Sequence, residues 1–168
     1  MLNNILNMNK EIQRIRFSFK MAYNGTPWHG NSLLHLVKGV DYQQANQRPI
    51  PHTHTIWETI QHILNWREFV VKKLEGDEIF DIELNSPQDW TIIETPIEAK
   101  WQSVLSELVA NQQVILEILE SWEDAQLEEL VPGKDYNFYT LLHGIIEHDI
   151  YHSGQIALVR KALLQEKA

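Results

Sequence analysis

The sequence contains no cysteine, and this absence limits the chemistry open to the protein. Without thiols the chain forms no disulfide framework, which fits a cytoplasmic location. Any bound metal must be held mainly by nitrogen and oxygen ligands. A thiol that takes part in a reaction must therefore come from a substrate.

Long apolar runs and an excess of positive charge are missing as well. No apolar run approaches the roughly 18–20 residues that cross a bilayer, and the N-terminus lacks the pattern of a signal peptide. The chain has 23 acidic and 14 basic residues, which gives a formal net charge of −9. Nucleic acids and anionic membranes both attract basic surfaces, so we expect neither as a partner.

The size and composition are those of one globular domain that covers residues 1–168. Hydrophobic residues make up 43% of the chain and charged residues 22%, which is enough apolar material for a sizeable core. There is no internal repeat and no low-complexity segment. We therefore expect a single cytoplasmic domain.

Two capping boxes predict the starts of two long helices. The segment Thr55–Glu58 opens a helix that runs to about Leu74 and is closed by Gly76. The segment Thr95–Glu98 adds proline at the first helical position, where its missing N–H costs nothing. The apolar residues that recur along this second helix at mostly three- and four-residue steps are Ile97, Trp101, Val104, Leu108, Ile115, Ile118 and Trp122.

Two more long helices complete the pattern, one from about Asn137 to Leu164 and a less well marked one from roughly Leu6 to Ala22. A short helical piece is expected around Ser32 to Val40. The segment Arg48–His52 carries two prolines and predicts an extended connector, and Gly76–Thr95 is rich in turn formers. Four main helices with long connections and little strand predict an all-α bundle.

His148 and His152 are four residues apart, so they lie on one face of the last helix. Gly144, one turn earlier, leaves space beside them because it has no side chain. His62 lies in the first capped helix, and the packing of a bundle can bring that helix opposite the pair. Three neutral imidazoles suit zinc, nickel, copper or iron and leave positions open for water or substrate. Both histidines fall within the apolar stripe of the last helix, formed by Phe138, Leu141, Ile145, Ile156, Val159 and Leu163.

Spacing alone does not decide between a metal site and ordinary core histidines. A core-facing histidine is more often a hydrogen-bonded packing residue than a ligand, and an isolated H-x-x-x-H is common by chance. The remaining five histidines do not help, because one points away from the shared face and the others lie in or near connections or at the surface. They are His143, His52, His54, His29 and His35.

Four segments together resemble the DinB-like (DinB/YfiT-like) family of metalloenzymes. They are PWHGNSL (27–33), HTIWETIQHILNW (54–66), WQSVLSEL (101–108) and LLHGIIEHDIYHSGQIALVRK (141–161). The resemblance implies a four-helix bundle with an up-down-down-up course. It also implies one metal ion held by three histidines, which fall on His62, His148 and His152.

The activity implied by this resemblance is less sharply defined. Some relatives resemble S-transferases or isomerases that use a low-molecular-weight thiol, others are described as metal-dependent hydrolases, and a non-catalytic metal-binding or stress-related module is a third alternative. We favour a thiol S-transferase that acts on a small molecule. The expected metal is zinc or nickel, with iron, copper or manganese as alternatives, and the expected assembly is a homodimer.

Several other side chains are candidates for the surroundings of the metal. Asp149, at the margin of the apolar stripe, needs a partner such as Arg67, a metal-bound histidine or a substrate group, unless it is simply solvated. Tyr151 and Gln155 are candidates for orienting ligands or substrate. The candidates for lining an apolar pocket are Trp28 and Trp66, with core packing as the alternative for both.

The segment H-D-x-x-H superficially resembles the H-E-x-x-H motif of zinc proteases, in which the carboxylate is the general base. Here that residue is Asp149 rather than glutamate, and nothing downstream supplies the usual third ligand. We therefore do not favour a protease.

Overall fold

A computed structural model describes residues 10–165 of the chain, and this range contains seven α-helices and no β-strand. The prediction of an all-α fold is confirmed. Among residues 10–165, no helix combines the length and the hydrophobicity that a membrane-spanning segment needs. The helices are α1 (Glu11–Asn24), α2 (Leu33–Val37), α3 (Tyr42–Ala45), α4 (Ile56–Leu74), α5 (Glu98–Glu120), α6 (Asp124–Leu127) and α7 (Phe138–Gln165).

Helix α4 begins and ends where the sequence predicts. The Thr55 hydroxyl accepts a hydrogen bond from the Glu58 amide at 3.1 Å, and the Glu58 carboxylate accepts one from the Thr55 amide at 2.8 Å. This reciprocal pair satisfies two amides that the first turn leaves free. After Leu74 the chain turns through Gly76, whose φ of 90° is strained for any residue with a Cβ.

The predicted capping box of α5 is wrong. Ile97 adopts an extended conformation, with φ −130° and ψ 152°, so the first helical residue is Glu98 and no side chain caps the helix. Thr95 lies two residues before the cap position, where its hydroxyl cannot reach the free amides. Pro96 consequently precedes the helix instead of opening it.

The two N-terminal helical predictions are shifted. The helix expected over Leu6–Ala22 is observed as Glu11–Asn24, and its predicted start lies outside the described residues. The piece expected around Ser32–Val40 is a shorter helix, Leu33–Val37. The last helix, predicted from Asn137 to Leu164, agrees with α7 to within one residue at each end.

The connection Arg48–His52 turns instead of extending. The Thr53 amide donates to the Ile50 carbonyl at 3.4 Å, and His52 has a φ of 62°. Pro51 sets the first central φ of such a turn, and the second central position takes positive φ in a type II turn.

The helices α3 and α6 were also not predicted, because four residues are too few to show a period.

Two apolar clusters form the core of the described residues. Helix α4 packs against α5 and α7, and α1 packs against α7 and α5. One cluster contains Phe19, Phe69, Ile115 and Leu142, and the other contains Trp57, Ile60, Trp101 and Ile156. Arg67 on α4, and Asp149 and His152 on α7, are buried polar residues that lie in sequence between members of the two clusters, whereas His62 lies among members of the second cluster.

Candidate metal centre

Three histidine side chains converge between α4 and α7. The Nε2 atom of His62 lies 2.9 Å from Nε2 of His148 and 3.1 Å from Nε2 of His152. Each residue offers one nitrogen, and these atoms all lie within 4.8 Å of one another. The spacing of four residues aligns two rings on α7, and the packing of α4 against α7 supplies the third.

Hydrogen bonds at the far side of two rings fix where their protons lie. Nδ1 of His62 is 2.9 Å from the backbone carbonyl oxygen of Asp89, and Nδ1 of His152 is 2.7 Å from the amide oxygen of Gln155. Because both oxygens only accept, each Nδ1 carries the proton and each neutral ring has a lone pair on Nε2. Two lone pairs therefore face each other across 3.1 Å, an arrangement that a bound cation stabilises.

The two separations measured from Nε2 of His62 fit a divalent metal. Two imidazole nitrogens that bind one ion at about 2.0–2.1 Å are about 2.9–3.4 Å apart at ligand angles of roughly 90–110°. The separations of 2.9 and 3.1 Å lie in that range. An all-imidazole set suits zinc, nickel, copper and iron.

Burial keeps two of the rings neutral. It lowers the pKa of His62, and it lowers the pKa of His152 to about 4, with the neighbouring His148 acting in the same direction in both cases. Neutral imidazole is the form that binds a metal ion. At neutral pH these two histidines are therefore ready to act as ligands without first losing a proton.

The connection between α4 and α5 supports His62 from outside the cluster. Asp89 is 3% exposed, and besides its carbonyl bond to His62 its carboxylate accepts from the Trp66 indole N–H at 2.8 Å. The other carboxylate oxygen accepts from the backbone N–H of Asn85 at 2.8 Å. Asp89 was not predicted from the sequence, because its position beside His62 depends on the path of an irregular connection.

Trp90, the next residue, covers the face of the His62 ring. The two rings are stacked, with centroids 3.9 Å apart and planes 6° from parallel. His54 stacks on the opposite face of Trp90 at 3.6 Å. Neither Trp90 nor His54 was predicted to support the site, since neither residue belongs to a helical stripe.

Asp149 forms a buried ion pair with Arg67. One carboxylate oxygen accepts from Nε at 2.9 Å and from Nη2 at 2.6 Å, and Gln112 accepts from Nη1 at 2.8 Å. Arg67 is thus the partner of Asp149 among the options that the sequence left open. The other oxygen, Oδ1, lacks a hydrogen-bond partner among the described residues and lies 4.0 Å from Nδ1 of His148.

The comparison with protein families agrees with this arrangement. The model of the DinB superfamily matches residues 28–156, a range that includes all three histidines. The chain belongs to the DinB superfamily. No curated protein and no solved structure matches it significantly.

The other predicted site residues of this DinB-superfamily chain differ in their distance from the cluster. Gln155 contacts His152 directly, and the ring of Trp66 lies 6.1 Å from that of His148. Tyr151 is 65% exposed, although its ring edge lies near His152. Trp28 is fully exposed between α1 and α2 and is not among the residues that surround the histidines.

Proposed function

We propose that this DinB-superfamily protein is a metal-dependent enzyme of the thiol S-transferase type that acts on a small molecule. The observation that carries the proposal is the pair of Nε2 lone pairs of His62 and His152, held face to face by the hydrogen bonds at their Nδ1 atoms. With His148 they would hold one divalent ion, and zinc or nickel is our first choice.

Three protein ligands leave coordination positions free, as is typical of catalytic rather than structural sites. A divalent ion supplies acidity, because it lowers the pKa of a water or a thiol that binds to it. The chain has no cysteine, so the sulfur belongs to a low-molecular-weight cosubstrate. The net reaction would join that sulfur to a carbon of the second substrate, while the thiol proton leaves with the displaced group.

The surrounding residues would position this site rather than exchange protons in it. Asp89 and Gln155 orient two of the ligand rings. Asp149 does not suit the role of general base, because Arg67 holds its carboxylate in a buried ion pair. This contact argues further against a protease-like use of H-D-x-x-H.

We also propose the up-down-down-up course for the four longest helices. Trp57 contacts Trp101 and Arg67 contacts Gln112, so residue numbers rise together along α4 and α5. This pattern supports a parallel α4–α5 pair.

Along α4 and α7 the numbers run in opposite directions, which supports an antiparallel pair. His62 meets His152, and Arg67, further along α4, meets Asp149, which comes earlier on α7. A homodimer and a cytoplasmic location stay proposals that rest on the sequence.

The test compares metal content and thiol consumption in three proteins. We expect the wild type to carry stoichiometric divalent metal and to consume a small thiol when an electrophile is supplied, whereas the His148→Ala/His152→Ala variant does neither. His143→Ala is the matched control, since His143 lies on the same helix and contacts Glu11 instead of the cluster. A metal-free wild type would overturn the proposal. A metal-loaded protein that cleaves esters but consumes no thiol would favour a hydrolase.

A further inference from the structure

An apolar groove runs from the histidine cluster along the line where α4 meets α7. Its volume is about 270 Å³, and His148 closes one end of it. The walls are formed by aromatic and aliphatic side chains from both helices, with a threonine and a tyrosine at the far end. Its lining residues are Trp66, Phe69, Val70, Tyr136, Thr140, Leu141, Gly144, Ile145 and His148.

The length of the groove follows from the helix that forms one wall. Thr140, Gly144 and His148 lie one turn apart along α7. From Thr140 to His148 the helix advances about 12 Å, since an α-helix rises about 1.5 Å per residue. An occupant that begins at the histidines therefore has room for an extended group of that length.

Gly144 leaves space in this wall that packing does not require. A Cβ built at this residue meets nothing within 4 Å among the described residues, and its φ is not positive. A mid-helix glycine costs about 1 kcal/mol relative to alanine. Neither a close contact nor the backbone conformation requires glycine here, and the position opens onto the groove beside His148.

The chemistry of the walls defines the occupant. Between His148 at one end and Thr140 and Tyr136 at the other, the lining is apolar, so a charged group in the middle would lose its hydration without gaining a partner. A concave apolar site with a few polar groups at its ends is the usual form of a small-molecule site. The metal ligand His148 is part of the lining, so one molecule can fill the groove and reach the cluster.

We propose that this groove binds the apolar part of the substrate, an uncharged alkyl or aryl group no longer than about 12 Å whose polar head meets the histidine cluster. For the polar head of the substrate the inference rests on the proposed function, and for the apolar group it rests on the groove itself. It narrows the substrate class from any small molecule to one with a polar, metal-binding end and an apolar end.

The first arm of the test uses n-alkyl hydroxamic acids, from acetohydroxamic to octanohydroxamic acid, with zinc-loaded protein in a calorimeter. The head is constant and binds metal, so the dependence of Kd on chain length reports on the groove. We expect about fourfold tighter binding for each added methylene until the groove is full. No gain with chain length would overturn the proposal.

Gly144→Leu should remove this dependence while acetohydroxamic acid still binds, because the new side chain fills the groove and leaves the cluster intact. Gly154→Leu is the matched control. Gly154 lies on the same helix, a Cβ there also meets nothing within 4 Å among the described residues, and it does not line the groove. Leucine favours helix, so both variants should melt at or above the wild-type temperature. If Gly144→Leu and Gly154→Leu lost the chain-length dependence of Kd to the same extent, the proposal would be overturned.

The second arm repeats the series with n-alkanols and metal-free protein, where the groove alone determines the chain-length dependence. A steep dependence that only Gly144→Leu removes supports the groove. If acetohydroxamic acid then fails to bind the zinc-treated wild type, the proposed metal-dependent function is wrong, whereas the proposal that the groove binds an apolar group still holds. If the alkanols show the dependence and the hydroxamic acids do not, the groove does not lead to the metal and the proposal is wrong.

Discussion

Trp90 lies flat on the ring of His62, with centroids 3.9 Å apart and planes only 6° from parallel. The contact joins an irregular connection to a candidate metal ligand. Together with the Asp89 carbonyl it fixes the imidazole both in rotation and in tautomer. Outer groups of this kind orient metal ligands and tune their affinity.

We predict that Trp90→Leu weakens zinc binding by about tenfold, the lower end of the range for outer-shell partners. The leucine still covers apolar surface but cannot stack on the His62 ring. Competition with a chromophoric chelator measures the Kd. His54→Leu, which removes only the outer ring of the stack, should change it much less. An unchanged Kd in Trp90→Leu would show that the stack does not hold the ligand.

Gln155 offers a second test, in which two substitutions have opposite effects. The amide oxygen of Gln155 accepts from Nδ1 of His152 at 2.7 Å. Gln155→Leu should weaken metal binding by about 10–100-fold, because the His152 ring loses its orienting partner. Gln155→Glu should strengthen it, since a carboxylate is the stronger acceptor.

The chelator titration that measures these affinities has a control in Gln113→Leu. Gln113 is exposed on α5, and its side-chain amide donates to Glu117. If both substitutions of Gln155 had the same effect as this control, Gln155 would have no part in holding His152.

Local signals predicted much of the fold and part of the site. The Thr55–Glu58 capping box acts within one turn, and the apolar stripe of α7 repeats along a single helix, so both could be found without tertiary information. The common face of His148 and His152 follows from the helical period alone. The identity of the partner helix does not, and His62 was selected by family resemblance.

The parts that sequence reasoning missed depend on the path of a connection. Asp89 contacts Nδ1 of His62 through its main-chain carbonyl and, at 3.1 Å, through its carboxylate Oδ1, and Trp90 lies outside any repeating pattern. The pairing of Asp149 with Arg67 was one of several options, because a buried carboxylate requires a partner without specifying which one. Long-range packing of α4 against α7 decided it.

The stability of the metal-free protein should fall as the pH decreases from about 6.5 to 4. The pKa of His152 is about 4 in the folded protein, against an ordinary value of 6.5, and that of His62 is also lowered, in both cases mainly by burial. In this window the unfolded chain binds more protons than the folded one, so acid favours unfolding. The contribution is fully present above pH 6.5 and is lost as the pH falls through the window.

Urea denaturation of metal-free protein at several pH values measures the slope of unfolding free energy against pH. His152→Gln, which cannot titrate, should reduce it, whereas Gln113→Leu, which removes no titratable group, should not. A slope that is unchanged in His152→Gln would contradict the assignment to that ring. Added zinc should raise the stability at pH 7, because only the folded state brings the three ligands together.

The buried pair of Arg67 and Asp149 should respond differently to single and double substitution. Asp149→Leu leaves a guanidinium that is 0% exposed without its counter-charge, which should cost about 3–5 kcal/mol of unfolding free energy. Arg67→Met/Asp149→Leu removes both charges and should recover much of that loss. Lys72 lies on the same helix as Arg67, and Lys72→Met, which breaks an exposed pair with Glu75, should cost less than about 1 kcal/mol. If the double variant were as unstable as Asp149→Leu, packing rather than an unpaired charge would explain the loss.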